Sequence, residues 1–549
     1  MPAIDRRSIA GKAPRAERHV PLVVVGAGAA GVAAAIEAAR SGVETMLIDE
    51  HPVDNDMMAM DVPLCFGQRM HAAVRNRALM LERVVETNPA LASAYEAGVD
   101  VQLGTYVWAA FVGGPTVQEL PGPMLGLADE RRSWLVSYDR LIVAAGTRDV
   151  LLGFAGWERA GTLGAGGAAA LLTRYRALSA RRLLVIGSGA LGLHTAALAL
   201  DHGIEVAGVV ELGERMRGDA AAASALAARG VPLFTGHTIR AARGRVGEIE
   251  SVVLAAVDAE GRPIAGRDRE IACDAVCLAV GLVPSVELLH LVGARLRFDG
   301  SRGGWVPELD DWMRTSVPTV YAAGDCTGVA DRMLGAPEIA GEQGRVAGLA
   351  AAESLGALTR REAVQRRGAP AVVAAAQTAS ADPFAYWQAW LRSLVAAGGW
   401  DVNVCQCEEV TRRELVETKP PRYLKWQSPQ MDARTLATLL NDGPLNQDQI
   451  KRLTRAGMGP CQSRRCREQV GLLLAQAAGT SIEHIPLPTF RPPVRPLPLN
   501  VLWPADEPSA MREDWVSWFG IPTQFSPHWE PGMVLDEPTA HTRLIVSDE

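Results

Sequence analysis

The feature that most constrains the fold is one pattern that the chain carries twice. An apolar strand runs into a glycine-rich turn and an alanine-rich helix, and a second strand then ends in an acidic residue. The first copy is PLVVVGAGAAGVAAAIEAARSGVETMLIDE, residues 21–50, and the second is RRLLVIGSGALGLHTAALALDHGIEVAGVVEL, residues 181–212. Each copy predicts a β-α-β unit whose turn receives a pyrophosphate at the helix N-terminus. We therefore predict an α/β protein with two dinucleotide-binding folds.

In the first copy the turn glycines are Gly26, Gly28 and Gly31. In such a turn the first glycine permits the sharp bend, the second lets the backbone approach the pyrophosphate, and the third brings the helix close to the strand. The acid about 20 residues further on, Asp49 or Glu50, is placed to bind ribose hydroxyls. These five residues are predicted to bind a dinucleotide; the alternative is a glycine-rich turn without a ligand.

In the second copy the corresponding residues are Gly187, Gly189, Gly192 and Glu211. The acid at position 211 favours an unphosphorylated ribose, whereas Arg215 and Arg217 would suit a 2′-phosphate. We predict NAD(P) or another adenine nucleotide here. The alternative is a retained fold whose site is empty or structural.

Three further segments indicate how the two folds are joined. YDRLIVAAGTRD (138–149), which contains Gly146, and CDAVCLAVGLVPSVELL (273–289) are apolar strands broken by a glycine, as expected where the chain leaves one unit for another. TSVPTVYAAGDCTG (315–328) predicts a strand ending at Gly324 and Asp325, followed by an amphipathic helix in GEQGRVAGLAAAESLG.

Together these motifs resemble the two-dinucleotide-binding-domain flavoprotein family, in which an inserted NAD(P)-type domain splits the FAD domain. The resemblance implies that Asp325 binds the ribityl chain of FAD, that the first three glycines hold its pyrophosphate, and that Asp49 or Glu50 holds its adenosine ribose. Gly146 and Gly324 belong to the same predicted site. For Asp325 the alternative is a helix cap that satisfies only backbone amides.

One segment departs from the family pattern. Where relatives carry Pro-Gly-Gly-Gln, this chain has HPVDNDMMAMDVPLCFGQRM, which contains Cys65 and Gln68. Cys65 has no C-x-x-C partner, so a disulfide-reductase mechanism is unsupported and a packed thiol is favoured. The remaining scattered cysteines, Cys273, Cys277 and Cys326, are predicted to be buried and structural.

Four cysteines are concentrated in VCQCEEV and GMGPCQSRRC: Cys405, Cys407, Cys461 and Cys466. The first pair precedes Thr411 and Glu414, a capping box that predicts a helix start. The second pair follows a helix predicted to begin after Asn446 and to stop at Gly457, and itself precedes a helix. Helix starts stabilise thiolates, and the adjacent arginines Arg464, Arg465 and Arg467 would help to hold an anionic cluster.

Four sulfur ligands suit either zinc or an iron–sulfur cluster. Structural zinc sites use C-x2-C to C-x4-C spacing, whereas C-x-C followed by C-x4-C resembles the bacterioferritin-associated-ferredoxin-like [2Fe-2S] domain. The resemblance implies that all four cysteines bind the cluster; zinc and unliganded thiols are the alternatives. The gap from Cys407 to Cys461 is longer than usual in that domain, and the excess is interpreted as a surface insertion or a partner contact.

Together, these motifs predict the order of the domains along the chain. It comprises a leader (1–20), the first part of an FAD domain (21–150), an NAD(P)-type domain (151–284), the second part of the FAD domain (285–356), a linker with a docking helix (357–400), the [2Fe-2S] domain (401–480) and an extended proline- and aromatic-rich segment (481–549).

Composition limits the classes of partner and the cellular compartment that we expect for this chain. The net charge of −7 across 549 residues gives no basic footprint for nucleic acid. The apolar run at 183–200 suits a buried strand, turn and helix better than a membrane span. The N-terminus has no apolar signal core, and the clustered cysteines indicate a reducing compartment. We expect a cytoplasmic protein, with any contact to the inner membrane made through partners.

FAD, an NAD-type fold and a four-cysteine domain in this order resemble the α subunits of heteromeric amine and amino-acid dehydrogenases, such as opine oxidases, hydroxyproline dehydrogenase and hydrogen cyanide synthase. The resemblance implies an FAD-bearing β subunit that oxidises the C–N bond, and an α subunit that relays electrons to an acceptor. The alternative is a self-sufficient NAD(P)H-dependent flavin and iron–sulfur reductase. A third possibility is a scaffold without redox activity.

Overall fold

The computed structural model describes residues 15–53, 76–112, 122–245, 247–329, 336–368, 383–422 and 428–502. Contacts divide the chain into two units. The first comprises residues 1–129 and 133–497, and the second comprises 130–132 and 498–549. Of the second unit the structure describes 130–132 and 498–502. Among the described residues, no helix combines the length and the apolar character needed to cross a membrane.

The strands, in chain order, are β1 Arg18–Val25, β2 Thr45–Asp49, β3 Asp100–Leu103, β4 Tyr106–Phe111, β5 Met124–Ala128, β6 Ser133–Val143, β7 Thr147–Asp149, β8 Thr162–Gly164, β9 Arg182–Ile186, β10 Glu205–Val210, β11 Leu233–Phe234, β12 His237–Arg243, β13 Ser251–Val257, β14 Pro263–Ala272, β15 Ala275–Leu278, β16 Leu282–Pro284, β17 Leu296–Asp299, β18 Gly304–Pro307, β19 Val320–Ala322, β20 Asn403–Cys405 and β21 Val410–Thr411.

The α-helices are α1 Ala29–Arg40, α2 Arg77–Thr87, α3 Ala90–Glu96, α4 Ala165–Ala169, α5 Ala190–Asp201, α6 Ala220–Ala228, α7 Glu287–Leu291, α8 Pro337–Ser354, α9 Arg360–Arg367, α10 Phe384–Gly398, α11 Arg412–Val416, α12 Pro429–Asp432, α13 Leu436–Asp442, α14 Gln447–Thr454, α15 Arg467–Ala478 and α16 Leu499–Leu502. A π-helical turn, Ala170–Arg174, continues α4.

The first sheet has the order β3-β2-β1-β6-β5-β4, and β19 also pairs with β6. Its β1, β2, β3, β6 and β19 run parallel, so their carboxyl ends meet at one edge. Helices α1 and α8 pack closely against each other because Gly344 and Gly348 lack side chains: a Cβ at either position would collide with the backbone of α1. The strand that returns from residue 320 confirms that the first dinucleotide fold is completed late in the sequence.

The second sheet has the order β11-β10-β9-β15-β8 and is parallel throughout. It contains the second glycine-rich turn, between β9 and α5. A three-stranded antiparallel sheet, β12-β13-β14, belongs to the same inserted region, and β7 pairs with β16 where the chain leaves and re-enters the first fold. The predicted α/β architecture of one split and one inserted nucleotide fold is confirmed.

Strand β1 begins earlier than the sequence pattern indicates. The first apolar run predicts a strand from Leu22, but ladder pairing with β6 already starts at Arg18, which lies opposite Val136. The guanidinium of Arg18 contacts the carboxylates of Glu44 and Asp100 at 2.7 and 2.6 Å. Interstrand hydrogen bonds therefore extend the strand into polar sequence that hydrophobic patterning does not recognise.

The cysteine region is small and mostly helical. Thr411 and Glu414 form the predicted capping box at the start of α11, and Asn446 caps α14 as expected. The predicted stop at Gly457 is wrong, because α14 ends at Thr454 and Arg455 takes the left-handed cap conformation (φ 64°). Helices α12 and α13 lie within the long gap between the two cysteine pairs.

Candidate functional site

A cavity of about 440 Å³ opens at the carboxyl edge of the first sheet. Of the residues predicted to bind a dinucleotide, the following line it: Gly26, Gly28, Asp49, Glu50, Gly146 and Asp325. Residues separated by up to 299 positions in the sequence (26 and 325) thus share one wall. This is where a parallel nucleotide fold binds its ligand.

The three glycines of the first turn have distinct structural roles. Gly26 has φ 105°, and a Cβ on it would collide with the Ala144 carbonyl oxygen. A Cβ on Gly31 would collide with the carbonyl of Gly26, so this glycine sets the contact between helix and turn. A Cβ on Gly28 would meet nothing within 4 Å, because this position faces the cavity. Only Gly28 therefore leaves space that a ligand could use.

The two acids at the end of β2 also differ. The carboxylate of Asp49 accepts backbone N–H groups from Ala27 at 2.6 Å and from His51 at 2.8 Å, so it holds the turn in place. The carboxylate of Glu50 instead accepts from the guanidinium of Arg495 at 2.6 Å. Both acids line the cavity, and each retains oxygen lone pairs that could accept ribose hydroxyls.

Arg495 is a cavity residue that the sequence argument missed. Its side chain is 3% exposed and its guanidinium lies 5.1 Å from the centre of the Tyr106 ring. The neighbouring Val494 donates its backbone N–H to the carbonyl of Trp108 at 2.9 Å. Burial opposes ionisation of Glu50, but the charges of Arg495 and Arg464 outweigh it and lower the pKa of Glu50. The proline-rich segment thus closes one wall of the first nucleotide site.

We expect the Arg495→Ala variant to bind the predicted FAD about tenfold more weakly, because Glu50 would lose its partner and the cavity would lose a cation facing an anionic ligand. The measurement is a fluorescence titration of FAD into deflavinated protein. Arg491→Ala is the matched control, since Arg491 belongs to the same segment but is exposed. Equal dissociation constants for the two variants would show that Arg495 takes no part in binding.

The turn after β19 contributes Asp325. Gly324 (φ 76°) packs against the start of α1, where a Cβ would meet the Cβ of Ala30 at 2.8 Å. The Gly324 backbone N–H is held by the side-chain oxygen of Gln343 at 2.8 Å. Burial raises the pKa of Asp325, whose carboxyl lines the cavity. Asp325 therefore lies at the cavity, and its binding of a ribityl chain stays a prediction.

The inserted domain supplies another wall through α4 and the π-helical turn that follows it. Gly166, Thr173 and Arg174 line the cavity. Beneath them the buried carboxyl of Asp149 accepts the backbone N–H groups of Gly166 and Gly167 at 2.7 and 3.2 Å. Burial raises the pKa of Asp149 to about 7. This carboxyl fixes the start of α4 and does not itself line the cavity.

The four clustered cysteines converge. The side chain of Cys405 lies beside that of Cys466, and the side chain of Cys407 lies beside that of Cys461. Cys405, Cys461 and Cys466 are buried, whereas Cys407 is partly exposed. The backbone N–H of Gly457 donates to the Cys405 Sγ at 3.4 Å. Two pairs far apart in sequence therefore lie together as one sulfur-rich pocket, and their ligation of a cluster stays a prediction.

The donors of this pocket suit a soft metal centre. In the part of the chain that the structure describes, no group of three or more His, Cys, Asp or Glu residues has the geometry of a formed metal site. The donor set nevertheless consists of four thiols, with backbone N–H groups directed at sulfur. The hydrogen bond from Cys407 lowers the pKa of Cys461 against the effect of burial, aided by the Arg465 amide and the charges of Arg465 and Arg464. The same pairing raises the pKa values of Cys407 and Cys466, so within each pair one thiol ionises more readily than the other.

Arg464 connects the pocket to the cavity. It belongs to the loop between Cys461 and Cys466, and its side chain lines the cavity. Its charge lowers the pKa of Cys461 on one side and the pKa values of Glu50 and Glu287 on the other. Its backbone carbonyl accepts from the guanidinium of Arg148 at 2.9 Å, which ties the loop to β7. The two predicted cofactor sites therefore share one wall.

A buried ion-pair network fixes this arrangement. Glu287 forms an ion pair with Arg148 at 2.7 Å and accepts a hydrogen bond from Arg467 at 2.9 Å, and Arg467 also pairs with Glu468 at 2.5 Å. Burial lowers the pKa of Arg148 to about 10. Because removing one member of a buried pair leaves an uncompensated charge, the network holds the start of α15 firmly against the first fold.

The second glycine-rich turn has the same backbone geometry as the first. At Gly187 (φ 103°) and at Gly192 a Cβ would collide with nearby backbone atoms. A Cβ on Gly189 would meet nothing within 4 Å. Glu211 accepts from the Ser188 hydroxyl at 2.6 Å and from the Tyr386 hydroxyl at 2.9 Å, and it is 2% exposed. The predicted residues are brought together, but Glu211 is covered by helix α10.

The remaining predicted positions are placed as follows. Cys273, Cys277 and Cys326 are buried, as expected. Burial raises the pKa of Cys273 to about 12, which is the behaviour of a packed thiol. Cys65 and Gln68 lie outside the described residues.

Comparison with known proteins agrees with this geometry. Residues 20–377 match the pyridine nucleotide-disulphide oxidoreductase family, and residues 431–506 match the sarcosine oxidase A3 domain. The second match covers part of the long gap between the cysteine pairs together with the proline-rich segment that contains Arg495. The later part of the gap, from residue 431, and the proline-rich segment as far as residue 506 therefore both belong to a recognised domain.

The chain is 28% identical to the HcnB subunit of hydrogen cyanide synthase from Pseudomonas aeruginosa, over 87% of this chain and 97% of that protein. It is 26% identical to the A subunit of opine oxidase from Agrobacterium tumefaciens, over 88% and 91%. L-proline dehydrogenase from P. horikoshii has a similar fold (TM-score 0.56, 18% identity, covering 89% of this chain and 80% of that chain). The chain thus belongs to the pyridine nucleotide-disulphide oxidoreductase family, and its fold is that of an FAD-dependent oxidoreductase.

Proposed function

We propose that this chain is the electron-relaying subunit of a heteromeric dehydrogenase that oxidises an amine or amino-acid-type substrate, opine- or imino-acid-like. In this proposal it binds FAD in the first nucleotide fold and a [2Fe-2S] cluster in the four-cysteine pocket, and a partner subunit with its own FAD oxidises the C–N bond. The named relatives, subunits of hydrogen cyanide synthase and opine oxidase, support the substrate class and the need for a partner.

The observation that carries the proposal is the shared wall formed by Arg464. A flavin accepts two electrons together and a [2Fe-2S] cluster passes them singly, so a relay needs the two groups close together. Arg464 lies in the loop between two cluster cysteines and also lines the cavity that contains Gly28 and Asp325. The buried pairs of Arg148 and Arg467 with Glu287 keep that loop against the first fold. These contacts support an arrangement in which the chain's own residues hold the two proposed sites side by side.

The proposed residue roles follow from the geometry. Gly28 admits the FAD pyrophosphate, Asp49 or Glu50 receives the adenosine ribose, and Asp325 binds the ribityl chain. Gly26, Gly31, Gly146 and Gly324 shape the backbone around FAD. Cys405, Cys407, Cys461 and Cys466 ligate the cluster.

The test is to purify the chain alone and together with the FAD-containing protein that co-purifies with it. After anaerobic reconstitution the isolated chain is expected to show flavin absorbance and a reducible iron–sulfur EPR signal, but no oxidation of amines or amino acids. Adding the partner should restore substrate-dependent reduction of a dye. Oxidation of the substrate by the isolated chain, or zinc in place of iron, would contradict the proposal.

A further inference from the structure

The start of helix α10 lies on the second nucleotide fold. The Tyr386 hydroxyl donates to the Glu211 carboxylate at 2.9 Å, and the same carboxylate accepts the backbone N–H of Ser188, the residue after the first glycine of the turn, at 3.3 Å. Burial and the charge of Glu211 raise the pKa of Tyr386, so this hydroxyl keeps its proton and remains a donor. Tyr386 therefore engages the acid that itself holds the glycine-rich turn of this fold.

The first fold shows the surroundings that Glu211 would have if Tyr386 did not cover it. Asp49 and Glu211 occupy the same place: each lies at the end of its second strand, and each accepts the backbone N–H two residues further on, from His51 at 2.8 Å and from Gly213 at 3.0 Å. In the first fold this acid lines an open cavity. In the second it is 2% exposed, and the Tyr386 hydroxyl lies where a ribose hydroxyl would bind such an acid.

The ring of Tyr386 is contacted by a guanidinium in the way that an adenine ring could be. The guanidinium of Arg217, in the segment after the second strand, lies 4.4 Å from the centre of the Tyr386 ring. An arginine at this position is the residue expected to contact a nucleotide beyond its ribose. Through its hydroxyl and its ring, Tyr386 thus contacts both Glu211 and Arg217, the two side chains that would recognise an adenosine.

The next side chain anchors the helix. The Trp387 indole N–H donates to the carbonyl of Val280 at 2.8 Å, just beyond the carboxyl end of β15. A Cβ on Gly281 would collide with the Trp387 ring, so this glycine is what permits the contact. Trp387 is 1% exposed. Helix α10 is therefore packed into the crevice at the carboxyl edge of the second sheet. This packing holds the helix in place over Glu211.

We propose that Tyr386 is a specificity-determining residue that excludes nicotinamide nucleotides by occupying the adenosine position of the second fold. Gly189 still faces open space, so it is the adenosine end that helix α10 closes. Glu211 then anchors the helix and binds no cofactor. The inference goes beyond the relay function, since a relay subunit would work with this site open or closed. It removes NAD(P)H as the electron source that the reductase alternative requires.

The test uses the FAD-saturated full-length chain and titrates it with ADP, NADH and NADPH. The wild-type chain is expected to show no saturable binding up to about 1 mM, and anaerobic NADH or NADPH should leave the flavin oxidised. Tyr386→Ala removes the ring and the hydroxyl, and is expected to gain ADP affinity by at least about tenfold. Tyr386→Phe retains the ring and should gain less. Tyr95→Ala, which truncates an exposed tyrosine (52% exposed), is the matched control and should not change.

Adding Glu211→Gln to Tyr386→Ala should remove the gained affinity, which would locate it at the second fold. Saturable ADP or NADH binding to the wild-type chain that Glu211→Gln weakens would overturn the inference. So would a folded Tyr386→Ala variant that binds ADP no better than Tyr95→Ala. If Tyr386→Ala does not fold, the wild-type titration and Tyr386→Phe decide. Failure of the relay function would instead appear as missing iron or a missing partner, neither of which alters the ADP titration.

Discussion

A Gly28→Val variant is expected to fold and to lose at least about nine tenths of its FAD. Gly28 has φ −72° and ψ −178°, which is extended backbone that valine adopts without strain. A Cβ there meets no protein atom within 4 Å, so the protein can accommodate the side chain. Its methyl groups would instead occupy the space that the pyrophosphate needs at the start of α1. The measurement is the ratio of flavin to protein absorbance after reconstitution, with circular dichroism to verify folding.

The chain provides its own control for this variant. Gly189 has nearly the same conformation in the second fold (φ −66°, ψ −177°) and the same open space. Gly189→Val should therefore keep its FAD. Normal flavin content in Gly28→Val, or equal loss in both variants, would place the FAD site elsewhere. Gly26→Ala would be a poor test, because its Cβ collides with Ala144 and the fold itself would be disturbed.

Cys461→Ser is expected to abolish the iron–sulfur EPR signal and to leave FAD bound. Cys461 is 1% exposed, and its thiol lies beside the side chain of Cys407 and the backbone N–H of Arg465. A serine hydroxyl is a harder ligand and remains protonated where a cysteine ionises, so it does not replace a thiolate on iron. The measurements are iron and sulfide content, the EPR spectrum of the reduced protein, and flavin absorbance.

Cys273→Ser is the matched control for the cluster variant. Cys273 is also buried (3% exposed), but it follows β14, and none of the four clustered cysteines contributes to its pKa shift. This variant should keep both iron and FAD. Full iron content in Cys461→Ser would refute its assignment as a ligand, and zinc in place of iron in the unsubstituted chain would support the zinc alternative.

Most of what the sequence predicted correctly depends on residues close together in the chain. The glycine-rich turns, the capping box at Thr411 and the cap at Asn446 are local arrangements in which a few neighbouring residues satisfy backbone groups. The split of the first fold was also predictable, because a strand ending in Gly324 and Asp325 needs a parallel sheet to join. The end of α14 was misplaced because Arg455, without the help of a glycine, adopts the left-handed cap conformation.

The residues that sequence analysis missed act across long separations. Arg495 reaches Glu50 from 445 positions away, and Tyr386 reaches Glu211 from 175. An arginine in a proline-rich segment and a tyrosine at the start of an aromatic helix carry no local sign of what they will contact. The fit of Trp387 against Gly281 is likewise visible only when both elements are in place.

The amino-acid sequence alone therefore determined that the chain contains two nucleotide folds and a four-cysteine region, because periodicity, turn glycines and caps are properties of short segments. Only the tertiary structure decided how the two folds differ: the first opens into a cavity next to the cysteine loop, and the second is covered by the chain's own helix. The physical reason is that an acid at the end of a strand has the same local surroundings in both folds. Whether it faces a cavity or a tyrosine hydroxyl depends on packing between segments far apart in the chain.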